Sequence, residues 1–331
     1  MFLSIIIPHY NLPRELLERC LHSIISLGLP ADEYEVIIVD DGSDNAPTWA
    51  TSLQSNITLK VAQHGGPGHA RNVGIEHATG TYIIFVDADD CLTGNREIFN
   101  CIEKLKSERP QILRYRYEVV KESSTPATPK KKNTRFSNTI SGATYMKDNN
   151  LSGSSCIFFF QRELAVKKGI TFPTGTFHED EEFNTIIHYH AQTLIDSDAV
   201  LYSYCTRSGS TTANKSETFE KQRIENLLHI IERIHRFAKT NSNTSNAIQA
   251  KAITHKLDML TVDAILNMLF IGMSAKETRK KCTEILSPIG LYPLRKASYS
   301  LKYRIFRCLT SNLFGMMLLR IITPSRKPAK R

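Results

Sequence analysis

Short, continuous apolar segments alternate with segments of helical spacing over the first ninety residues, and this alternation constrains the fold more than any other feature. The apolar runs are predicted strands at residues 4–7, 35–39, 57–62 and 82–86. Helical spacing occurs at residues 11–27 and again at 69–79. Strands without apolar–polar alternation are typical of a parallel sheet that helices cover on both faces. The pattern therefore predicts an α/β fold.

The remainder of the chain has a different character. Residues 121–141 are polar and contain two prolines and a lysine triplet, which predicts an exposed loop or hairpin insertion. A short helix is predicted near 162–168, and helical spacing dominates from about residue 217. We therefore expect an α/β domain at 1–214 and a helical C-terminal region at 215–331.

The positive charge of the chain is concentrated at its C-terminus. Lysine and arginine number 42 against 33 aspartates and glutamates, a formal net charge of +9. Residues 285–331 contain ten basic side chains and no acidic one, so the rest of the chain is nearly neutral. Enzymes that act on nucleic acids usually carry basic charge on the body of the domain, so no nucleic-acid partner is predicted.

The seven cysteines are scattered singly, without a CxxC pair or a His/Cys cluster. This spacing predicts neither a zinc site nor a disulfide framework and fits a reducing compartment. The apolar N-terminal run is too short for a signal peptide, and no uncharged stretch reaches the roughly 18 to 20 residues of a membrane-spanning helix. We therefore expect a cytoplasmic location.

Carboxylates directly follow two of the predicted strands. Asp40 and Asp41 end the second strand, and Asp87 and Asp89 follow the fourth. Ligands of open parallel sheets bind beyond the carboxyl ends of the strands, and residues i and i+2 of an extended chain face the same way. Asp87 and Asp89 should therefore project into one crevice, where Mg²⁺ or Mn²⁺ bridging to a phosphate would offset their repulsion. The alternative is an aspartate-rich turn that only closes the strand.

A glycine-rich loop at residues 65–68 precedes a predicted helix that carries Arg71 in its first turn. The free N–H groups of a helix N-terminus can bind an anion. The loop matches neither of the two common nucleotide-binding fingerprints, so on its own it is more typical of a tight connection.

Four ordered motifs between residues 4 and 90 resemble those of glycosyltransferase family 2, the inverting sugar transferases of the GT-A fold. They read SIIIPHYN at 4–11, VDDGS at 39–43, GPGHARNVG at 66–74 and GTYIIFVDADD at 80–90. A looser match covers EDEEF at 179–183 and YSYCTRSGS at 202–210. The resemblance implies a Rossmann-like mixed sheet flanked by helices, with the nucleotide-sugar-binding and catalytic domain at residues 1–214.

The resemblance also implies a UDP-linked sugar as the donor and assigns roles to individual positions. Those that would bind the nucleotide sugar are Pro8, Tyr10, Asp40, Asp41, Arg71, Asp87, Ala88, Asp89 and Arg207. Asp41 matches the carboxylate that reads the uracil edge. Asp89, together with Asp87, matches the ligands of Mn²⁺ or Mg²⁺. The residue that would clamp the diphosphate from a mobile loop stays open between Arg207 and Ser210, because Cys205 stands where the family commonly has an arginine.

Inversion at the sugar carbon needs a single displacement by an acceptor hydroxyl, so the resemblance implies a carboxylate that takes the hydroxyl proton. Asp180 is the candidate base. Glu179 and His178 are candidate helpers in acceptor or metal binding. The alternative for this segment is an acidic helix start that the helix dipole favours.

Residues 301–322 place apolar side chains on one helical stripe, with lysine and arginine near its start. A basic amphipathic helix can lie in the headgroup region of an anionic membrane. Polymer-building members of the family often use lipid-linked acceptors, so the resemblance implies a glycan or lipid-linked acceptor and a peripheral position on the inner face of the membrane, reached through residues 295–331. The alternative is a C-terminal helix that packs on the body with its arginines in solvent.

Three further functions stay open. One is a nucleic-acid binder that would act through the basic tail alone, with steeply salt-dependent binding to DNA or RNA. A sugar nucleotidyltransferase shares a related fold, but it should carry a glycine-rich loop with arginine and lysine directly after the first strand, where residues 8–11 read PHYN. A catalytically inactive sugar-nucleotide-binding or membrane adaptor would bind UDP without turnover. The sequence leaves the sugar, the acceptor, the linkage and the oligomeric state open.

Overall fold

The structure is a computed structural model that describes residues 1–121, 133–151, 153–207 and 216–324. Its contacts divide the chain into two compact units, Met1–Tyr145 with Ser152–Ser210 and Met146–Leu151 with Thr211–Arg331. Three features predicted from the sequence lie outside the described residues in part or in whole. They are the insertion at 122–132, the loop with Ser210 at 208–215 and the end of the basic tail at 325–331.

The first unit is built on an eight-stranded mixed sheet. Its N-terminal strands are β1 (Leu3–His9), β2 (Tyr34–Asp40), β3 (Ile57–Val61) and β4 (Tyr82–Phe85). They run parallel in the order β3-β2-β1-β4, with Ile5 opposite both Val36 and Ile84. The four predicted strands are therefore confirmed. Because parallel strands end at the same edge of a sheet, the loops after β1, β2 and β4 lie at one edge.

The other strands convert the sheet from parallel to mixed. They are β5 (Cys91–Leu92), β6 (Ile112–Lys121), β7 (Phe158–Gln161) and β8 (Leu194–Thr206). β7 is antiparallel to both β4 and β6, whereas β6 and β8 are parallel. The short β5 pairs antiparallel with β8, and Cys91 lies opposite Ser203. This pairing brings the end of β8 to the turn that follows β4.

Helices connect these strands. They are α1 (Arg14–Ile25), α2 (Pro67–His77), α3 (Asn95–Glu108), α4 (Gly142–Asp148), α5 (Arg162–Lys168) and α6 (Glu179–His190). The helix predicted from residue 11 starts only at Arg14, because Pro13 occupies the capping position with extended backbone. α2 packs closely on β1, since a Cβ atom at Gly74 would collide with the side chain of Ile6. This close approach fixes the direction in which α2 presents its side chains at the sheet edge.

The described end of the predicted insertion, residues 133–141, runs along β8. Backbone bridges join Phe136 to Ser197 and Ile140 to Leu194. Phe136 and Ile140 pack against the core, while most of the other residues in this stretch are exposed. The end of the insertion is thus a segment that pairs with the sheet.

The second unit is helical. Its helices are α7 (Glu217–Thr240), α8 (Ala247–Phe270), α9 (Ala275–Lys281), α10 (Leu301–Thr310) and α11 (Leu313–Ile322). A π-helical segment, Cys282–Leu286, continues α9. Asn246 and Ser274 form capping boxes at the starts of α8 and α9. Each cap satisfies backbone N–H groups that the first helical turn leaves free, so the sequence itself specifies these two helix starts.

The tail differs from the sequence-based expectation. The spacing of residues 301–322 predicts one amphipathic helix, but the chain breaks at Ser311 and Asn312. The Asn312 side chain accepts a hydrogen bond from the N–H of Gly315 at 2.8 Å and so starts a new helix. A Cβ atom at Gly315 would collide with the backbone of Leu309, so α10 and α11 approach closely. Across the described residues, no helix is both long enough and apolar enough to cross a membrane.

Candidate active site

The turn after β4 carries the carboxylates that the sequence singles out. Within it, the N–H of Asp90 donates to the carbonyl of Asp87 at 2.9 Å. The Arg19 guanidinium donates to the carbonyl of Asp89 at 2.6 Å, and the Tyr202 hydroxyl accepts the N–H of Asp87 at 3.3 Å. The turn is therefore held by α1 and β8 as well as by its own strand.

A single buried arginine, Arg71 in α2, joins this turn to the N-terminus of α6. Its side chain is only 5% exposed, and its Nη2 donates to Oδ1 of Asp87 at 2.9 Å. Its Nη1 donates to Oε1 of Glu179 at 2.9 Å and to Oδ1 of Asp180 at 3.0 Å. The two predicted catalytic carboxylates and one predicted donor-binding carboxylate therefore share one guanidinium.

Asp180 is the carboxyl group best suited to accept a proton. Besides Arg71, it binds Ser155, whose hydroxyl donates to Oδ1 at 3.0 Å and whose N–H donates to Oδ2 at 3.2 Å. Burial raises the pKa of Asp180 to about 7, with help from the carboxylates of Glu179 and Asp87 and against the lowering effect of Arg71. About a fifth of the side chain, 21%, stays exposed. A reachable carboxyl group whose pKa lies near neutrality is matched to general-base catalysis.

Asp89 pairs with Arg207 at the end of β8. The Nε of Arg207 donates to Oδ2 of Asp89 at 2.9 Å. Burial and the neighbouring Asp87 raise the pKa of Asp89, although Arg207 lowers it. Asp89 thus lies where a further positive charge would stabilise its ionised form.

Asp90 explains why Arg207 reaches the turn. Its buried carboxyl group accepts hydrogen bonds from the Tyr202 hydroxyl at 2.5 Å and from the N–H of Cys205 at 2.7 Å. Burial and neighbouring aspartates raise the pKa of Asp90 to about 8. Because Cys205 is tied to Asp90, the residue two positions later, Arg207, is carried to Asp89. Cys205 therefore positions Arg207 through its backbone N–H. This role does not require the arginine side chain that the family commonly has at this position.

Asp41 organises the glycine loop in front of α2. Its side chain is 3% exposed and accepts the N–H groups of Gly65 at 3.0 Å and Gly66 at 2.8 Å. The Nδ1 atoms of His64 and His69 lie 2.9 and 3.3 Å from its two oxygens. The loop that leads to Arg71 is therefore anchored on the end of β2.

An exposed aromatic pair lies beside Asp41. The rings of Tyr10 and His64 stack with centroids 4.2 Å apart and an interplanar angle of 26°. Tyr10 is 45% exposed, and Pro8, two residues earlier in β1, is partly exposed. A flat, accessible aromatic surface next to a carboxylate suits the binding of a nucleobase.

Two members of the predicted set face the protein interior. Asp40 is fully buried and accepts hydrogen bonds from the Ser43 hydroxyl at 2.5 Å and N–H at 3.1 Å, while His9 Nδ1 lies 2.9 Å away. Ala88 belongs to the hydrophobic core. Both therefore support the turns that present Asp41 and the aspartates after β4, and nucleotide contact by either stays a prediction.

Several residues of this arrangement are not in the predicted set. His64 lies shortly after β3. The expectation that ligands bind beyond the carboxyl ends of parallel strands, which singles out Asp41, would also have found His64. Tyr202 lies in a quoted motif but has no predicted role. Arg19 and Ser155 belong to no motif, and only the tertiary fold brings them to the turn and to Asp180.

The turn after β4 meets the requirements of a divalent cation in part. Arg71 and Arg207 each engage one carboxylate oxygen of the turn, Oδ1 of Asp87 and Oδ2 of Asp89. Carboxylate oxygens suit Mg²⁺ and Mn²⁺. Among the described residues no group of three or more His, Cys, Asp or Glu side chains could hold a metal ion. A cation here would therefore complete its coordination with oxygens of a bound ligand.

The known proteins that resemble this chain are glycosyltransferases. The family described as Glycosyl transferase family 2 matches residues 4–169. The poly(ribitol-phosphate) beta-glucosyltransferase of Bacillus spizizenii is 26% identical over 223 residues, which cover 63% of this chain and 33% of that protein. The chain thus spans about a third of the length of this curated relative.

Solved structures show which fold this is. Residues 1–349 of Staphylococcus aureus TarS, in complex with UDP-GlcNAc, match with a TM-score of 0.68 at 18% identity, covering 99% of this chain and 93% of that one. The mannosyltransferase PcManGT of Pyrobaculum calidifontis, in complex with GDP-Man and Mn²⁺, matches with a TM-score of 0.57 at 17% identity, covering 97% and 87%. The fold is of the GT-A type. Because the family match covers half of the chain, from β1 through α5, and includes the four motifs between residues 4 and 90, this chain belongs to glycosyltransferase family 2.

Proposed function

We propose that this protein is an inverting glycosyltransferase that moves a sugar from a UDP-sugar to an acceptor hydroxyl. The observation that carries the proposal is the convergence of Asp87, Glu179 and Asp180 on the Arg71 guanidinium. A single displacement requires the donor sugar and the base to lie within one site. Arg71 links the strand end expected to bind the donor with the carboxylate expected to act as the base.

The donor is proposed to lie along the carboxyl edge of β1, β2 and β4. The Tyr10–His64 pair would stack on the base, and Asp41 would accept the N–H of a pyrimidine. Asp41 already accepts two backbone N–H groups and contacts the Nδ1 atoms of His64 and His69, so a pyrimidine N–H would replace one of the histidine contacts. Asp87 would bind ribose or sugar hydroxyls. The TarS structure in complex with UDP-GlcNAc supports UDP as the nucleotide.

Mn²⁺ or Mg²⁺ is the proposed cofactor. Asp89, assisted by Asp87, would hold the cation, which supplies Lewis-acid stabilisation of a departing diphosphate. Arg207 lies against Asp89 and is proposed to donate hydrogen bonds to the same diphosphate, as a guanidinium does readily.

Asp180 is the proposed general base. The acceptor hydroxyl would give its proton to Asp180 while its oxygen bonds to the anomeric carbon, and the bond from that carbon to the diphosphate would break on the opposite face. Inversion follows from this one step, and the products are the glycoside and UDP. Arg71 and Ser155 hold the carboxylate in place, and Glu179, which shares Arg71, is proposed to position it or to bind the acceptor. His178 starts α6 with a left-handed φ of 65°, a strained conformation that clusters at functional sites.

We propose cell-surface polysaccharide or glycolipid synthesis as the process, with a glycan or lipid-linked acceptor. The similarity to a poly(ribitol-phosphate) beta-glucosyltransferase supports a polymer acceptor. The proposed location is cytoplasmic and peripheral to the membrane.

The test is a panel of UDP- and GDP-sugars, with and without Mn²⁺, read by thermal shift and by UDP release in the presence of candidate acceptors. A ligand at a hundred times its Kd stabilises a protein by about 2.7 kcal/mol, enough to raise the melting temperature by several degrees. We expect UDP-sugars to raise the melting temperature of the wild type and of the control Glu163→Gln, which alters an exposed residue of α5. UDP release should fail in Asp89→Asn. Equal stabilisation by UDP and GDP, or full turnover in Asp89→Asn, would contradict the proposal. Binding of UDP-sugars without UDP release, whichever acceptor is added, would favour the inactive adaptor.

A further inference from the structure

Helices α10 and α11 present an apolar surface that the packing of the second unit leaves uncovered. Its exposed side chains are Leu301, Ile305, Leu313, Phe314, Met317, Leu318, Ile321 and Ile322. Phe314 is 72% exposed and Ile321 is 78% exposed. Single exposed apolar residues are ordinary, but a cluster of this size on one helix pair marks an interaction surface.

The opposite side of the helix pair is firmly packed. Its buried residues are Tyr303, Gly315, Met316 and Leu319. The Tyr292 hydroxyl donates to the carbonyl of Thr310 at 2.6 Å, and Arg279 donates to the carbonyl of Ser311 at 3.0 Å. In α11 the buried and exposed residues alternate with helical periodicity, so the apolar surface is a defined face of a fixed helix.

Basic side chains surround this face. Lys302 and Arg304 are exposed on α10, and Arg307 and Arg320 are partly exposed. Residues 285–331 contain no acidic side chain. The two helices therefore combine a large exposed apolar area with basic side chains, which matches the interfacial zone of an anionic bilayer.

We infer that the α10–α11 face is a docking surface for an anionic lipid bilayer. The apolar side chains would enter the boundary between headgroups and acyl chains, while the lysine and arginine side chains bind lipid phosphates. A second copy of this chain fits less well, because a twofold contact through this face would bring two positively charged rims together. The inference extends the peripheral location proposed above and does not depend on the transfer reaction, so either can fail alone.

The apolar part is tested by co-sedimentation of the full chain with phosphatidylcholine vesicles and with phosphatidylcholine–phosphatidylglycerol vesicles. The variant Phe314→Ser/Ile321→Ser should bind the anionic vesicles at least about tenfold more weakly than the wild type, because it removes two large apolar side chains from the buried face. The matched control Val166→Ser/Ile248→Ser removes apolar side chains that are also exposed, on α5 and α8, and should bind like the wild type. Circular dichroism melting of all variants shows that each is folded.

The charged part is tested by Lys302→Gln/Arg304→Gln. Each lost charge should weaken binding to the anionic vesicles by about fivefold, whereas the control Lys251→Gln/Lys276→Gln, at exposed positions of α8 and α9, should have no effect. High salt should weaken binding of the wild type. Equal binding to neutral and anionic vesicles, or equal losses in test and control variants, would overturn the inference. Absence of vesicle binding by the wild type would also overturn it. If the wild type is then a dimer that Phe314→Ser/Ile321→Ser dissociates, the face joins two copies of the chain instead.

Discussion

Replacement of Arg71 by methionine should destabilise the protein, and more so at high pH. The guanidinium lies 2.9 to 3.0 Å from the carboxylates of Asp87, Glu179 and Asp180, and its side chain is only 5% exposed. Removing one partner of a buried charge network costs roughly 3 to 5 kcal/mol, because Glu179 and Asp180 would stay mostly buried without compensation, whereas Asp87 is partly exposed. Methionine keeps much of the side-chain length, so the loss of charge dominates over the loss of volume.

The pH dependence follows from the direction of the pKa changes. In the wild type the Arg71 guanidinium partly offsets the burial that raises the pKa of Asp180 to about 7. Without Arg71, the pKa of Asp180 in the folded protein rises further above its unfolded value of about 4. The folded variant then keeps the Asp180 proton up to a higher pH than the folded wild type does, so the stability difference between the two grows as the pH rises above about 7. We therefore expect a loss of about 3 to 5 kcal/mol at pH 8 and a loss smaller by roughly 1 kcal/mol at pH 5.

Urea unfolding of the wild type and Arg71→Met at the two pH values measures this difference directly. Arg114→Met is the matched control, because Arg114 is equally buried but its Nη1 pairs with His188, and the Asp196 carboxylate lies 4.0 Å from its Nε. Its loss of stability gives the cost of removing a buried guanidinium that binds no carboxylate cluster, and the Arg71→Met loss should grow more between pH 5 and pH 8 than this control loss does. If Arg71→Met loses the same free energy of unfolding at both values, Arg71 does not stabilise the ionised form of Asp180, and the reasoning fails.

Further predictions concern the proposed reaction. The transfer rate should rise with pH through a midpoint near 7, because Asp180 accepts a proton only when ionised and its pKa is raised to about 7; a flat profile from about pH 5 to 9 would exclude Asp180 as the base. Chelation with EDTA should abolish transfer, and Mn²⁺ should restore it in the wild type but not in Asp89→Asn; full activity in EDTA would rule out the proposed cofactor. Tyr10→Ala should weaken UDP binding in calorimetry by about 1 to 3 kcal/mol, the contribution of a base stacked on an aromatic ring, whereas Tyr117→Ala, at an exposed tyrosine of β6, should leave it unchanged.

The parallel half of the fold could be predicted because local sequence specifies it. β1, β2 and β4 are continuous apolar runs, and each is followed at once by polar turn residues. β7 is also a continuous apolar run, yet it lies antiparallel between β4 and β6. Its direction depends on how distant segments pair, and a short run of phenylalanines carries no information about that pairing.

The site divides in the same way. Asp41 and Asp87 are predictable from their positions at strand ends, and the family motifs add Asp180. The contact between Ser155 and Asp180 is not predictable, because it joins residues that are distant in sequence and belong to no common pattern. The break between α10 and α11 could have been found, since Asn312 is a favourable helix cap in the middle of the apolar stretch.

The most direct test of the proposed mechanism is the turnover of Asp180→Asn, measured as UDP release with a productive donor and acceptor. Asparagine keeps the shape of the side chain but cannot take the hydroxyl proton, so kcat should fall by roughly 10² to 10⁴ while UDP binding stays within about twofold of the wild type. Asp32→Asn, at an exposed position before β2, should have wild-type values. An Asp180→Asn variant with wild-type kcat would contradict the assignment of Asp180 as the base.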